Sequence, residues 1–208
     1  MHDVPMILAV AAAILLGAMS PGPSFLIVAR TAMARSRGRG VIVALGMGIG
    51  GGLFALAACI GLHVVLTAIP TLYRVLQIAG GAYLLYIAWT IWRAAPGPLP
   101  MAEPVGSADS SPWRDLLRGL GTQVSNPKTA LVYAGVFAAA LPEGPTLMTG
   151  TVLVAMIALI EFGWYALVAN AFSTDRARQA YARAKLGIDR LAAGIMGALG
   201  AKLLAEVR

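Results

Sequence analysis

Residues 20–24 read SPGPS, and this short stretch decides how the chain can fold. It lies between the apolar stretches VPMILAVAAAILLGAM at 4–19 and FLIVA at 25–29, and residues 4–29 carry no charged side chain. About 20 apolar residues are enough for a helix to cross a bilayer. Proline lacks a backbone N–H, and its ring clashes with the carbonyl four residues earlier. The stretch therefore predicts a membrane-spanning helix that is interrupted along its length.

The composition of the whole chain is that of an integral membrane protein. Of its 208 residues, 59% are hydrophobic and only 12% are charged, whereas soluble domains carry about 25% charged residues. The N-terminal MHDVP contains no Lys or Arg, so we expect a retained helix and not a cleaved signal peptide. With one cysteine, Cys59, and two histidines, we expect neither an intrachain disulfide nor a metal site. We expect no cofactor.

The apolar stretches predict six spanning helices. Their approximate ranges are 4–32, 41–69, 72–93, 115–141, 147–173 and 186–206. Of the 16 basic residues, 12 lie in, or at the span ends next to, the loops that join spans one and two, three and four, and five and six. Since Lys and Arg concentrate on the cytoplasmic side, we expect a multi-pass bacterial inner-membrane protein with both termini in the periplasm. The net charge of +7 then reflects topology and not nucleic-acid binding.

A linker divides this single transmembrane domain into two halves. Residues 95–112 hold five prolines, which predicts an extended linker between repeat one, about 1–94, and repeat two, about 113–208. Three spans in each half would insert the halves with opposite orientation. This arrangement is typical of transporters built from inverted repeats. The predicted fold is thus an all-α membrane protein of six helices in two inverted three-helix repeats, with broken first and fourth helices.

A second interruption lies in the fourth span, where residues 125–128 read SNPK. Paired interruptions in corresponding helices indicate a transporter site near the midplane of the bilayer. Each break starts a new half-helix, whose free N–H groups and positive dipole end favour an anion. Such a site would suit a substrate carboxylate. The alternative is that both breaks are proline kinks that serve packing only.

Three motifs together resemble the lysine/homoserine/threonine exporter family, whose members are LysE-type and RhtB-like. They are SPGPS in the first span, LQIAGGAYLLYIAW in the third and SNPKTALVYAGVF in the fourth. The resemblance covers essentially the whole chain. It implies a six-helix inner-membrane exporter of amino acids driven by the proton-motive force. The family motifs map onto Pro21-Gly22-Pro23 and Asn126-Pro127-Lys128, and the stretch Gly80–Leu84 matches the third-span signature.

The chain departs from the family pattern at three places. Gln77 stands where many members have lysine, and Gly50–Gly52 stand where many have an acidic residue. The fourth span is followed by LPEG at 141–144, where many members have PQF. These differences bear on the identity of the substrate.

Two ionisable residues inside spans are the strongest candidates for function, because a charge in the membrane is costly. Lys128 follows the second break and would bind a substrate carboxylate or pair with Glu161, unless it reaches the cytoplasmic interface. Glu161 lies near the middle of the fifth span and would bind a substrate ammonium or carry the coupled proton. The alternative role of Glu161 is structural, namely a hydrogen bond or an ion pair with Lys128.

The remaining candidates flank the breaks or line the third span. The predicted substrate-binding residues are Ser20, Pro21, Gly22, Pro23, Ser24, Ser125, Asn126, Pro127, Lys128, Glu161 and Tyr83. For Tyr83, core packing is an equal alternative. Asn170 is expected to bridge helices. Residues 174–190 are read as a separate interfacial or solvated helix.

The glycines from Gly46 to Gly52 suggest close helix packing. The alternative, which would give them a functional role, is a flexible hinge for alternating access. They would also permit a helix-packed homodimer.

The function we expect is proton-coupled export of amino acids or close derivatives, and the alternative is an ion or solute channel on the same architecture. An enzyme is disfavoured because GPS is no nucleophile elbow and His63 has no obvious serine partner. ATP-driven transport is not expected, because no nucleotide-binding loop occurs.

Overall fold

The computed structural model describes residues 3–68, 70–97, 111–141 and 145–206. Over these ranges the chain forms eight α-helices and no strand, which confirms the predicted all-helical fold. In chain order the helices are α1 (Asp3–Met19), α2 (Pro23–Ala34), α3 (Arg37–Ala68), α4 (Pro70–Ala94), α5 (Pro112–Val124), α6 (Pro127–Ala140), α7 (Leu147–Phe172) and α8 (Asp175–Ala205). Both predicted interruptions fall between helices. The interior of the linker and residues 142–144 of LPEG lie outside the described residues.

The last helix differs from the prediction. One continuous helix, α8, covers residues 175–205, where we expected a separate helix over 174–190 followed by a span at 186–206. No proline occurs between these bounds, so nothing in the backbone chemistry ends the helix at the charged residues. Similarly, α3 begins at Arg37 and not at residue 41.

Two helices within the described ranges are long and apolar enough to cross a membrane, namely Arg37–Gly61 of α3 and α7. A third span results if the pair Val4–Met19 and Pro23–Ala34, bent by 57°, counts as one. These helices are consistent with a membrane protein. The arrangement of six spans in inverted repeats stays a prediction.

The helices pack through two clusters of buried apolar side chains. One cluster surrounds Ile14, Leu84 and Phe137, and the other surrounds Phe25 and Phe172. α3 packs along α5 and α7, while α4 packs along α8. At the two breaks Ser20, Ser24 and Asn126 are buried, whereas Pro23, Ser125 and Pro127 are exposed.

Glycine allows α3 and α5 to touch through their backbones. A Cβ atom on Gly46 would meet the carbonyl oxygen of Leu116, and one on Gly119 would meet the carbonyl oxygen of Val43. Any larger residue at either position would therefore push the helices apart. The close packing predicted for Gly46–Gly52 is present, because Cβ atoms on Gly46, Gly48 and Gly50 would clash with α5 or α7. The hinge stays a prediction.

Candidate functional site

The first helix break leaves α1 with free carbonyl groups at its C-terminal end, and side chains of three later helices satisfy them. A helix end buried without such partners would be strongly unfavourable in lipid. Each of the last four carbonyls from residue 17 to residue 20 accepts a hydrogen bond from a side chain. The donors are Lys128 Nζ to Gly17 O and Ser20 O, both at 3.3 Å, Trp164 Nε1 to Ala18 O at 3.1 Å, and Tyr181 Oη to Met19 O at 2.8 Å.

The second break is capped locally and is joined to the first. The side-chain oxygen of Asn126 accepts a hydrogen bond from the backbone N–H of Lys128 at 3.0 Å, which is a helix N-cap. The amide nitrogen of Asn126 donates to Ser24 Oγ at 3.1 Å, and Ser24 Oγ donates to Gln123 Oε1 at 2.7 Å. Since Ser24 belongs to the first turn of α2, these bonds bring the N-termini of α2 and α6 together, as the sequence predicts.

The N-terminus of α2 differs from that of α6 in its capping. Its N-cap residue is Gly22, and no side chain of the described residues caps it. A Cβ atom on Gly22 would lie 3.6 Å from Lys128 Nζ, so the ammonium group lies beside this helix end. An uncapped helix N-terminus and an ammonium group therefore lie side by side at the first break.

Glu161 of α7 is buried near both breaks, with 3% of its surface exposed. Its Oε1 accepts a hydrogen bond from Tyr133 Oη at 2.9 Å. Its Oε2 has no hydrogen-bond partner among the described residues. The described residues also contain no ion pair between Lys128 and Glu161, since the Lys128 ammonium group donates to carbonyls of α1.

A small cavity of about 30 Å³ lies where these groups meet. Its polar lining consists of Ser20, Ser24, Asn126, Lys128, Thr129, Tyr133, Glu161 and Tyr165, together with the backbone of Gly17 and Gly22. This volume holds about one or two water molecules. It is far below the roughly 300–1,000 Å³ of sites that enclose small-molecule ligands. The structure thus has a closed site with positive and negative groups in one wall.

The predicted site residues divide into two groups. Those that line this cavity are Ser20, Gly22, Ser24, Asn126, Lys128 and Glu161. The described cavity wall does not include Pro21, Pro23, Ser125 or Pro127, which shape the breaks. Tyr83 lies elsewhere, on α4, with its ring 5.9 Å from that of Tyr86.

Comparison with known proteins identifies the family of the chain. The model of the LysE type translocator family matches residues 15–207. The chain belongs to this family. The resemblance that the three motifs indicated is thereby confirmed. No solved structure matches the chain.

Several curated relatives of this LysE type translocator are named efflux proteins. The chain is 30% identical over 193 residues to a threonine efflux protein of Salmonella typhi, covering 89% of this chain and 91% of the relative. It is 29% identical over 189 residues to a threonine efflux protein of Escherichia coli K12, covering 89% and 91%. It is 27% identical over 184 residues to a leucine efflux protein of Enterobacter sp. strain 638, covering 86% and 83%.

Sequence reasoning missed several site residues of this LysE type translocator. Trp164 and Tyr181 are more than 140 positions from the carbonyls they bind, so their role depends on tertiary packing. The sequence did contain a signal for Gln123. Asp115, Gly119 and Gln123 are polar or small residues spaced four apart, so they share one buried face of α5. One expectation was wrong: Asn170 does not bridge helices but donates to Ala166 O of its own helix at 2.7 Å.

Proposed function

We propose that this LysE type translocator exports amino acids or close derivatives across the bacterial inner membrane by proton-coupled secondary transport. The names of the threonine and leucine efflux relatives support this substrate class. The observation that carries the proposal is the convergence of two half-helix N-termini, Lys128 and Glu161 on one closed cavity. An amino acid is a zwitterion, and this cavity wall offers it one cation and one carboxylate.

The substrate carboxylate would bind at the first break. The N-terminus of α2 has no side-chain cap among the described residues, and Lys128 lies beside it. At the second break the side chain of Asn126 already occupies the first turn of α6. A carboxylate would therefore gain more from the N-H groups and dipole of α2 than from those of α6.

The substrate ammonium, or a proton in exchange for it, would bind Glu161. The Oε2 atom of this carboxylate is buried and has no hydrogen-bond partner in the described structure. A buried carboxylate with a free oxygen needs either a cation or a proton. Competition between the two for one group would couple export of the amino acid to entry of a proton.

Transport through this site requires a conformational change. The cavity of about 30 Å³ is too small for an amino acid, so the described conformation is closed around it. The proposed mechanism is alternating access, with repeat one and repeat two as the moving units. The extensive contacts of α3 with its counterpart α7, and of α4 with its counterpart α8, run between the two repeats, so the change would repack these interfaces.

A counterflow assay in proteoliposomes tests the proposal. Liposomes containing the purified full-length protein would be loaded with an unlabelled amino acid, and uptake of the same labelled amino acid would be followed. A panel that includes L-threonine and L-leucine would identify the substrate. We expect internal substrate to accelerate uptake. Flux that ignores internal substrate and follows voltage alone would contradict the exporter and support the channel.

A further inference from the structure

A second and larger cavity lies beside the first break, between the C-terminal half of α4 and α8. Its volume is about 440 Å³, which is within the range of sites that enclose small ligands. It is lined by Ser20–Gly22 from the break, Thr90 and Ile91 from α4, and Lys185 and Asp189 from α8. Lys128 also lines it, and the same residue lines the small central cavity. The two cavities therefore share one ammonium group.

Asp189 brings an incompletely paired carboxylate to this larger cavity. Only 2% of the residue surface is exposed. Its Oδ2 accepts a hydrogen bond from Lys185 Nζ at 2.8 Å, while its Oδ1 is buried and has no hydrogen-bond partner in the described part of the chain. A buried carboxylate oxygen without a donor is costly, so this atom calls for a ligand.

Lys185 cannot supply the missing donor. Its ammonium group has three N–H bonds, and it donates at 3.1 Å to Ala94 O, at 3.2 Å to Ala95 O and at 2.8 Å to Asp189. All of its donors are therefore in use. The other ammonium group of this cavity, Lys128, donates to Gly17 O and Ser20 O and forms no ion pair with Asp189 in the described structure, so Oδ1 is open to a donor from a ligand.

We propose that this cavity is a second amino-acid site, which holds the zwitterion before it reaches the central cavity. The substrate ammonium binds Asp189, and the substrate carboxylate faces Lys128. Because Lys128 borders both cavities, the carboxylate keeps the same cationic partner as the molecule moves inwards. The cavity lies at the helix ends that carry Arg93 and Arg183, which is the cytoplasmic side in the predicted topology. This inference rests on the proposed amino-acid export.

The test measures how much the α-amino group contributes to substrate binding from the cytoplasmic face, and it compares the wild type with Asp189→Asn. The labelled substrate is L-threonine or L-leucine, whichever shows counterflow. Its uptake into inside-out membrane vesicles is measured in the presence of either of two unlabelled competitors. One competitor is the unlabelled amino acid, and the other is its analogue without the amine, 3-hydroxybutyrate or 4-methylpentanoate. Loss of a charged hydrogen bond weakens binding by about tenfold or more. We expect Asp189→Asn to reduce the preference for the amino acid over its amine-free analogue by that factor. Glu206→Gln, at the exposed end of α8, is the control.

The outcomes separate this inference from the proposed function. If Asp189→Asn transports the amino acid with the wild-type preference for the amine, the second site is wrong and the exporter stands. If the wild type transports neither amino acid nor any other of the panel, both fail. Should Asp189→Asn not fold, Ile91→Phe narrows the same cavity without touching the charges. It should raise the KM from the cytoplasmic face several-fold and leave uptake from the opposite face unchanged, and an equal KM would overturn the site.

Discussion

At the scale of single residues, the first helix break depends on donors that lie far away in the sequence. Lys128, Trp164 and Tyr181 together satisfy the last four carbonyls of α1. A buried acceptor that loses its only donor costs about 1–3 kcal/mol. The interruption at SPGPS is therefore stable without a bound ligand, which leaves the uncapped N-terminus of α2 free for substrate.

Glu161→Gln is the residue change that separates proton coupling from substrate exchange. Glutamine keeps the shape of the side chain and its hydrogen bond with Tyr133, but it cannot release or take up a proton. We expect proton-coupled export to be lost and counterflow of the amino acid to persist at a raised KM, because the substrate ammonium loses its charged partner. A pH-sensitive dye inside proteoliposomes measures the first and labelled substrate the second. Unchanged proton movement would remove Glu161 from the coupling role.

Gly51→Ala tests the close approach of α3 to the acidic side of the site. A Cβ atom here would lie 2.8 Å from Glu161 Cγ and 3.1 Å from Tyr133 Oη. Overpacking of this kind costs about 1–3 kcal/mol, so we expect a lower thermal midpoint in detergent and slower transport. Gly61→Ala on the same helix is the control, since nothing lies within 4 Å of its Cβ position. Equal midpoints in both variants would contradict the close contact.

At the scale of secondary-structure elements, the lysines share one role, which is to stabilise the C-terminal end of a helix. The chain has three lysines, at positions 128, 185 and 202. Each donates to carbonyls at a helix C-terminus: Lys128 to α1, Lys185 to α4 and Lys202 to Ala139 O of α6. A lysine stabilises a helix end both by hydrogen bonding and by its charge. Lys202, a charged residue inside the predicted sixth span, is explained in this way.

Asn126→Ala tests the junction between the two half-helices. The change removes the N-cap of α6 and the bond to Ser24. Loss of an N-cap costs about 0.5–2 kcal/mol of stability. We expect transport to fall as well, because Ser24 and the N-terminus of α2 lose their partner. Ser111→Ala is the matched control, since Ser111 caps α5 away from the site. It should lower stability alone, and equal transport in both variants would contradict the junction.

The sequence predicts much of the local structure of the site and little of its long-range contacts. The prolines at 21, 23 and 127 place both breaks, and Asn126 before proline and lysine is a recognisable N-cap. Which side chains reach the carbonyls of α1 depends on how α6, α7 and α8 pack, and periodicity carries no information on that. The continuous α8 was missed because its charged residues look like an end of a span.

At the scale of the whole molecule, an acidic residue joins the two halves at their arginine-rich end. Asp115 of α5 is fully buried and accepts hydrogen bonds from Arg35 at 2.7 Å and from Arg39 at 2.9 Å. The positive-inside rule explains why arginines lie on this side but not what they bind. Here two of them hold α5 against the end of α2 and the start of α3.

Asp115→Asn should loosen this connection between the halves. Removing one member of a buried charge cluster leaves the other charges uncompensated and costs about 3–5 kcal/mol. We expect a large fall of the thermal midpoint in detergent. Arg118→Gln serves as the comparison, because its guanidinium lies 3.7 Å from the same carboxylate and is 38% exposed, so its loss should matter much less. Similar midpoints for the two variants would contradict the buried connection.

The central claim is that Lys128 and the N-terminus of α2 bind the substrate carboxylate at the first helix break. Counterflow by Lys128→Met, compared with Tyr181→Phe, tests it most directly. Both variants remove a donor from the end of α1, but only the first removes the positive charge. We predict that Lys128→Met raises the KM for the amino acid about tenfold or more, whereas Tyr181→Phe changes stability and leaves the KM unchanged. An unaltered KM in Lys128→Met, or equal increases in both variants, would contradict the claim.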